Sequence, residues 1–217
     1  MGIRGKPHRV YIHTMKPSLI SRYKLPVVLA IALPTALCGF WLVNTSRAAT
    51  ETPEYKASRA EGKFEIRDYP ELTVATTTMD GQEMNSGFRQ LFKFITGGNA
   101  GAQKIQMTSP VLIDTAKDKK TMSFIMPKKA ADHGLPKPTT DNVTLGRIKA
   151  TRYAVLRFDG TRSAEHEKAA TEKLKAWMAA QKIAAKGDPL FAYYDPPWTP
   201  TFLRRNEVLI RIDGSQE

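Results

Sequence analysis

The sequence predicts an α+β fold in which one curved antiparallel sheet or barrel, made of two similar halves, carries two helices against it. Three observations lead there. Apolar residues switch twice from alternating to helical spacing, giving the order strands, helix, strands and then that order again. Two places align at a spacing of 79 residues, Met79-Asp80-Gly81 with Phe158-Asp159-Gly160 and Pro110 with Pro189. The length of 217 residues, 41% of them hydrophobic, suits one ordinary domain plus a leader and is cramped for two.

The leader comes first. Residues 1–48 hold seven basic residues and no acid, so much of the net charge of +12 sits there. The remaining 26 basic residues face all 21 acids, a mild net of +5, which argues against a nucleic-acid binder. Leu25 to Val43 is a run of 19 uncharged residues preceded by six basic ones, which predicts membrane targeting with the rest of the chain sent across. Ser46-Arg47-Ala48 and Ala49 fit a small-x-small cleavage site, and the long basic segment before the apolar run fits a retained anchor; both stay open. The product is expected to be periplasmic or secreted, or anchored in the inner membrane with its domain outside the cytoplasm. Cys38 is the only cysteine, so the body has no disulfide, thiolate metal site or cysteine nucleophile.

Residues 50–62 are polar and read as a linker, with the domain spanning 63–217. Phe64 to Tyr69 and Leu72 to Met79 are β-type runs split by Pro70. Met84, Phe88, Leu91, Phe92 and Ile95 then fall on one helical face ended by Gly97-Gly98, with Phe94 pointing off that face. Ile105 to Asp114 and Thr121 to Met126 read as strands, and 127–142, rich in proline, as a loop. The second half repeats the order: strands within Val143 to Phe158, a turn at Asp159-Gly160, and a helix from Ser163 to Lys182 with Ala170, Leu174, Trp177 and Met178 inward. Strands at Leu190 to Tyr194 and Glu207 to Ile212 close it. Such a shape leaves a cleft between helix and sheet for a small apolar ligand.

His133 and His166 are the only histidines of the body and have no companion at metal-ligand spacing, which argues against a zinc site. Gly97-Gly98-Asn99-Ala100-Gly101 follows a helix instead of leading into one, the wrong geometry for a phosphate cradle. Nothing in the body forms a catalytic dyad or triad.

The run Lys104-Ile105-Gln106-Met107-Thr108-Ser109-Pro110-Val111 is similar to the signature of the SOUL haem-binding family. Phe64 to Pro70 resembles that family's opening strand, Phe88 to Gly98 its first helix and glycine cap, and Tyr193 to Pro197 with Arg204 to Val208 its closing hairpin. The resemblance implies a distorted antiparallel β-barrel of two pseudo-symmetric halves flanked by two α-helices, and haem or another tetrapyrrole, held non-covalently in an apolar cleft. Where one branch of the family has an axial histidine this chain has Asp68, so histidine ligation does not carry over, and the axial ligand is unknown.

A porphyrin needs apolar walls and cations for its propionates. Two groups of residues supply that mixture: Phe88, Arg89, Phe92, Lys93 and Ile95 on the first helix, and Tyr194, Trp198, Phe202 and Arg204 in the closing loop. The expected role is a carrier, buffer or sensor with a monomeric body. The alternative, by analogy of fold with bacterial small-molecule-binding domains and hydrolases, is a binder or hydrolase of another small apolar molecule, with Glu65 and Glu207 as candidate acids.

Overall fold

The computed structural model describes residues 50–79, 84–115 and 120–213, the side chain of Met84 excepted. The predicted membrane segment Leu25 to Val43 and the cleavage site lie outside these residues. Among the described residues no helix is long and apolar enough to cross a membrane.

Nine strands form one antiparallel sheet: β1 (Lys56–Glu61), β2 (Phe64–Tyr69), β3 (Leu72–Thr78), β4 (Val111–Asp114), β5 (Thr121–Ile125), β6 (Thr144–Ile148), β7 (Thr151–Phe158), β8 (Leu190–Tyr193) and β9 (Asn206–Arg211). The helices are α1 (Met84–Ile95), the short α2 (Lys128–His133) and α3 (Ala164–Ala180). Strand order is β1-β2-β7-β9-β8-β4-β5-β3-β6. The sheet curls into a half-barrel with β1 and β6 as its edges, so the barrel expected from the sequence is open.

The order reads the same from either side of the β8–β4 junction once β1 is set aside. Shifting Leu72–Thr78 by 79 gives 151–157, inside β7, and shifting Val111–Asp114 gives 190–193, the bounds of β8. Register obeys the same operation: Leu72 pairs with Ile148 as Thr151 pairs with Tyr69. The two halves break symmetry at their last hairpin, where twelve residues (194–205) join β8 to β9 but only six (115–120) join β4 to β5.

One face of the sheet is covered by α1, which packs on β3 and β5, and by α3, which packs on β7 and β9. Leu91, Phe94 and Ile95 of α1 and Leu174, Trp177 and Met178 of α3 fill this core with Ile113, Met122, Phe124, Val208 and Ile210. Phe94 is therefore core, against the expectation that it points off the stripe. Gly87 lies so close to the sheet that a Cβ there would be 3.2 Å from Met79 Cγ, and Gly87, Leu91, Phe94 and Ile95 share the buried face of the helix. Ser163 caps α3 by accepting from the His166 amide at 3.2 Å, and Glu165 and Glu167 complement the positive end of the helix.

The other face of the sheet is apolar too. Tyr69, Val74, Leu112, Ile125, Tyr153, Val155, Ala192 and Leu209 make a second cluster on it. Alternation explains the split: in β7, Ala154 and Leu156 turn to the helices while Tyr153 and Val155 turn away. Two differences from the sequence reading concern loops. The segment read as linker contains β1, which pairs with β2, and the proline-rich loop contains α2.

Candidate functional site

The residues expected at a ligand site divide between two surfaces. On α1, Phe88 and Phe92 lie one turn apart on the outer side, 37% and 46% exposed. Their rings stack with centroids 5.8 Å apart and planes 15° apart, and Phe124 meets Phe88 edge-on at 5.3 Å. Helical spacing makes this pair, since residues four apart share a face. Arg89 and Lys93, also four apart and exposed, flank it; Arg89 Nε donates to the Asn85 carbonyl at 3.2 Å. Ile95 is turned into the core and is not part of this surface.

The closing loop forms the other surface. Trp198 and Phe202 stand out into solvent, 84% and 76% exposed. Arg204 is folded back on its own loop, donating through Nε to the Thr199 carbonyl at 2.8 Å and through Nη2 to the Pro197 carbonyl. The loop is fastened beside the start of α3, where the Gly160 amide donates to the Thr201 carbonyl at 3.2 Å and Asn206 Nδ2 to the Gly160 carbonyl at 3.0 Å. Tyr194 turns the opposite way, toward the sheet face that lacks helices.

That face holds an arrangement the sequence reading missed. A shallow apolar groove runs between Tyr69, Leu72, Leu112, Ile125, Ile148, Tyr153, Leu190, Ala192, Tyr194 and Leu209, with Pro53 and Pro110 completing its walls. At one end lies a buried ionic cluster. Glu207, 0% exposed, accepts from Arg67 Nη1 and Nη2 at 2.7 and 3.1 Å, from Arg205 Nε and Nη2 at 2.9 and 2.6 Å, and from the Tyr194 hydroxyl at 2.9 Å. Arg67 also donates to Glu65 at 2.7 Å and to the Tyr69 hydroxyl at 3.2 Å.

A strap, residues 51–55, crosses this face. Glu51 accepts through its carbonyl from the Ser109 amide at 2.9 Å and through Oε1 from the Lys128 amide at 2.8 Å. Tyr55 lays its ring 4.3 Å from the Arg67 guanidinium carbon and 5.1 Å from the ring of Tyr69.

Burial pushes the Glu207 carboxyl up, but the hydrogen bonds and charges of Arg67 and Arg205 outweigh it and hold the group below the usual carboxylate range. Burial likewise pushes the Tyr69 hydroxyl up to about 12 and raises Tyr194 well above the ordinary phenol value. Glu207 is thus a locked carboxylate, and a group held ionised by two guanidiniums is a poor general acid. Glu65 is spoken for by Arg67. Neither candidate acid of the hydrolase alternative is presented as a free carboxyl.

Compared with known families, residues 50–211 match the SOUL heme-binding protein family. The chain belongs to that family. Among curated proteins none matches it. Solved structures similar to the SOUL domain include the EcmrR C-terminal domain, with TM-score 0.51 and 14% identity over 73% of this chain and 98% of that one. A second, described as an uncharacterized conserved protein from Listeria innocua, has TM-score 0.53 and 12% identity over 70% and 93% of the two chains. A third, described as a hydrolase from Listeria innocua, has TM-score 0.50 and 13% identity over 72% and 94%. At such identities the likeness is one of fold.

Within the SOUL domain, the stretch Lys104 to Val111 is architectural. Ile105 returns from α1 to the sheet through an amide bond to the Ile95 carbonyl at 2.8 Å, Thr108 Oγ1 donates to the Ile125 carbonyl at 2.5 Å, and Pro110 follows a cis bond into β4. Asn99 organises the glycine-rich loop, its side-chain amide donating to the Phe94 and Gln103 carbonyls and its oxygen accepting from the Gly101 and Gln103 amides. Asp68, at the place of the axial histidine of one family branch, is held by Arg152 at 2.6 and 2.9 Å, a bond that keeps its carboxyl below the usual range. His133 and His166 are exposed, each with Nδ1 on a backbone carbonyl. Among the described residues no three His, Cys, Asp or Glu side chains gather as a metal-binding group.

Proposed function

We propose that this SOUL domain binds haem or a related tetrapyrrole on the outer face of α1, as an exchangeable carrier or buffer outside the cytoplasm. The observation that carries the reading is the Phe88–Phe92 pair: two stacked, half-exposed rings present adjoining apolar surface against which a porphyrin can pack, with Arg89 and Lys93 beside it for the propionates. A bound haem would supply a redox-active iron and a strong visible band. The residues fit its apolar face and its acid groups, and they bring no protein ligand to its iron. Binding of this kind is reversible and suits transport or buffering better than chemistry on the iron. Residence outside the cytoplasm rests on the leader: the uncharged run Leu25 to Val43 after six basic residues favours export, with the chain held at the membrane wherever the segment is retained.

The test is a haem titration of the full chain in detergent, followed through the Soret band. A saturable shift is expected. Phe92→Ala should raise Kd about fivefold, since one aromatic contact contributes about 1 kcal/mol. Arg89→Ala should have a smaller effect that fades with salt, as exposed ion pairs do. Absence of any saturable shift overturns the reading, and equal affinity in Phe92→Ala moves the ligand off α1.

A further inference from the structure

With haem placed on α1, the two most exposed aromatic side chains of the domain, Trp198 and Phe202, are left without a role. They sit in the hairpin that is twelve residues long where its counterpart has six, so they belong to an addition the duplicated fold does not require. The loop is held firmly, by Gly160, Asp195 and Arg204, while both aromatic side chains stay in solvent. Large apolar groups presented in this manner mark a contact surface.

The path of the chain says which surface. The uncharged run ends at Val43, and Glu51 is bonded to the sheet region through the Ser109 amide. Ser109 Oγ in turn donates at 3.2 Å to the carbonyl of Tyr194, the residue that opens the loop. One serine therefore joins the leader-proximal end of the domain to the base of the Trp198 loop. The seven residues 44–50 reach at most about 25 Å when fully extended, so a retained anchor would keep the Glu51 end of the domain within that distance of the bilayer. Lys128 and Lys129 stand exposed at the same end, since the Lys128 amide is bonded to Glu51; the Lys128 ammonium pairs with Asp132 at 2.9 Å.

We infer that the 194–205 loop is a membrane-docking element: Trp198 and Phe202 insert into the lipid headgroup region of the bilayer that holds the leader, and Lys129 favours anionic lipid there. Tryptophan is at home at this depth, where its apolar ring and polar N–H are both accommodated. Lysine near an anionic leaflet adds electrostatic attraction. Covalent attachment supplies a high local concentration, so two aromatic anchors suffice to set the orientation. The inference rests on the retained-anchor reading, and the experiment separates the two.

The full chain is reconstituted in phosphatidylcholine vesicles containing phosphatidylglycerol, with bromine carried on the acyl chains near the headgroup or near the chain end. The protein has three tryptophans, and two double variants each keep one of interest: Trp41→Phe with Trp177→Phe leaves Trp198, and Trp177→Phe with Trp198→Phe leaves Trp41. Trp198 emission is expected to fall by roughly half with shallow bromines and less with deep ones, and the effect should shrink in Phe202→Ser. Quenching of Trp41 without quenching of Trp198 overturns the docking inference and leaves the anchor standing. Quenching of neither removes the anchor and the inference with it. A loss of haem affinity in Phe202→Ser as large as that in Phe92→Ala assigns the loop to the tetrapyrrole instead and also overturns the inference.

Discussion

Replacing Glu207 with glutamine keeps the shape of the side chain and removes the one charge that reconciles two guanidiniums in the interior. Glu207 accepts five hydrogen bonds, four of them from Arg67 and Arg205. Glutamine offers a single acceptor oxygen and turns an NH2 toward a guanidinium, which can only donate. Arg67, 2% exposed, cannot turn to water, whereas Arg205 reaches it in part. Breaking a buried pair costs about 3–5 kcal/mol, which for a domain of this size lowers Tm by roughly 10–15 °C. The assay is thermal unfolding of the full chain in detergent, read by near-ultraviolet circular dichroism. The sign with pH follows from the depressed carboxyl: its contribution is complete above the unfolded value of 4.5 and is lost as pH falls through the lower folded value. The gap between wild type and Glu207→Gln should therefore be widest near neutrality and shrink below about pH 4. The paired change Glu207→Leu with Arg67→Met should cost much less than Glu207→Gln. A loss under about 1 kcal/mol at neutral pH, or a gap indifferent to pH, would refute the view that this cluster is a closed ionic unit.

Asp68→His should leave the haem spectrum without new low-spin bands, because Asp68 lies on β2, beside β7 and the α3 side of the sheet, while the Phe88–Phe92 pair rides on α1 over β3 and β5. A low-spin spectrum in that variant would relocate the ligand. Gly98→Ala would place a Cβ 2.7 Å from the Lys93 carbonyl oxygen, so it should open the last turn of α1 and cost about 1–3 kcal/mol in denaturant unfolding.

Much of the architecture was legible because it depends on periodicity, which a single sequence displays. The helical stripe of Leu91 and Ile95, the glycine stop after it and the spacing of 79 between halves all correspond to elements of the fold. Phe94 was misread because a stripe fixes a face only to within about one residue in either direction, and the buried face is the one that Phe94 shares with Gly87, Leu91 and Ile95. The ionic cluster was illegible for a different reason. Glu65 and Arg67 on β2, and Arg205 just before β9 with Glu207 on it, alternate as residues of a solvent-facing edge do, and Arg67 and Glu207 are 140 residues apart in sequence. A signal did exist: Tyr153 to Leu156 and Val208 to Ile210 are unbroken apolar runs, which mean a sheet buried on both faces. Taken seriously, they predict a second apolar face and a place for buried charge beside it. The sequence marks Tyr194, Trp198, Phe202 and Arg204 as one ligand-binding group, but the fold divides them: Tyr194 turns to the sheet face while Trp198 and Phe202 stand in solvent.

The stretch from Glu51 to Glu61 changes what counts as the edge of the domain. Composition suggests trimming to Lys63, yet a fragment cut there would lose the Tyr55 ring that roofs Arg67 and the whole of β1, whose Lys, Arg and Glu side chains are all exposed. What remained would present the bare rim of β2 to any passing strand, an invitation to stick edge to edge. A segment that looks like packing material between leader and domain is the selvedge of the sheet, and a recombinant body that behaves well in solution should begin before it.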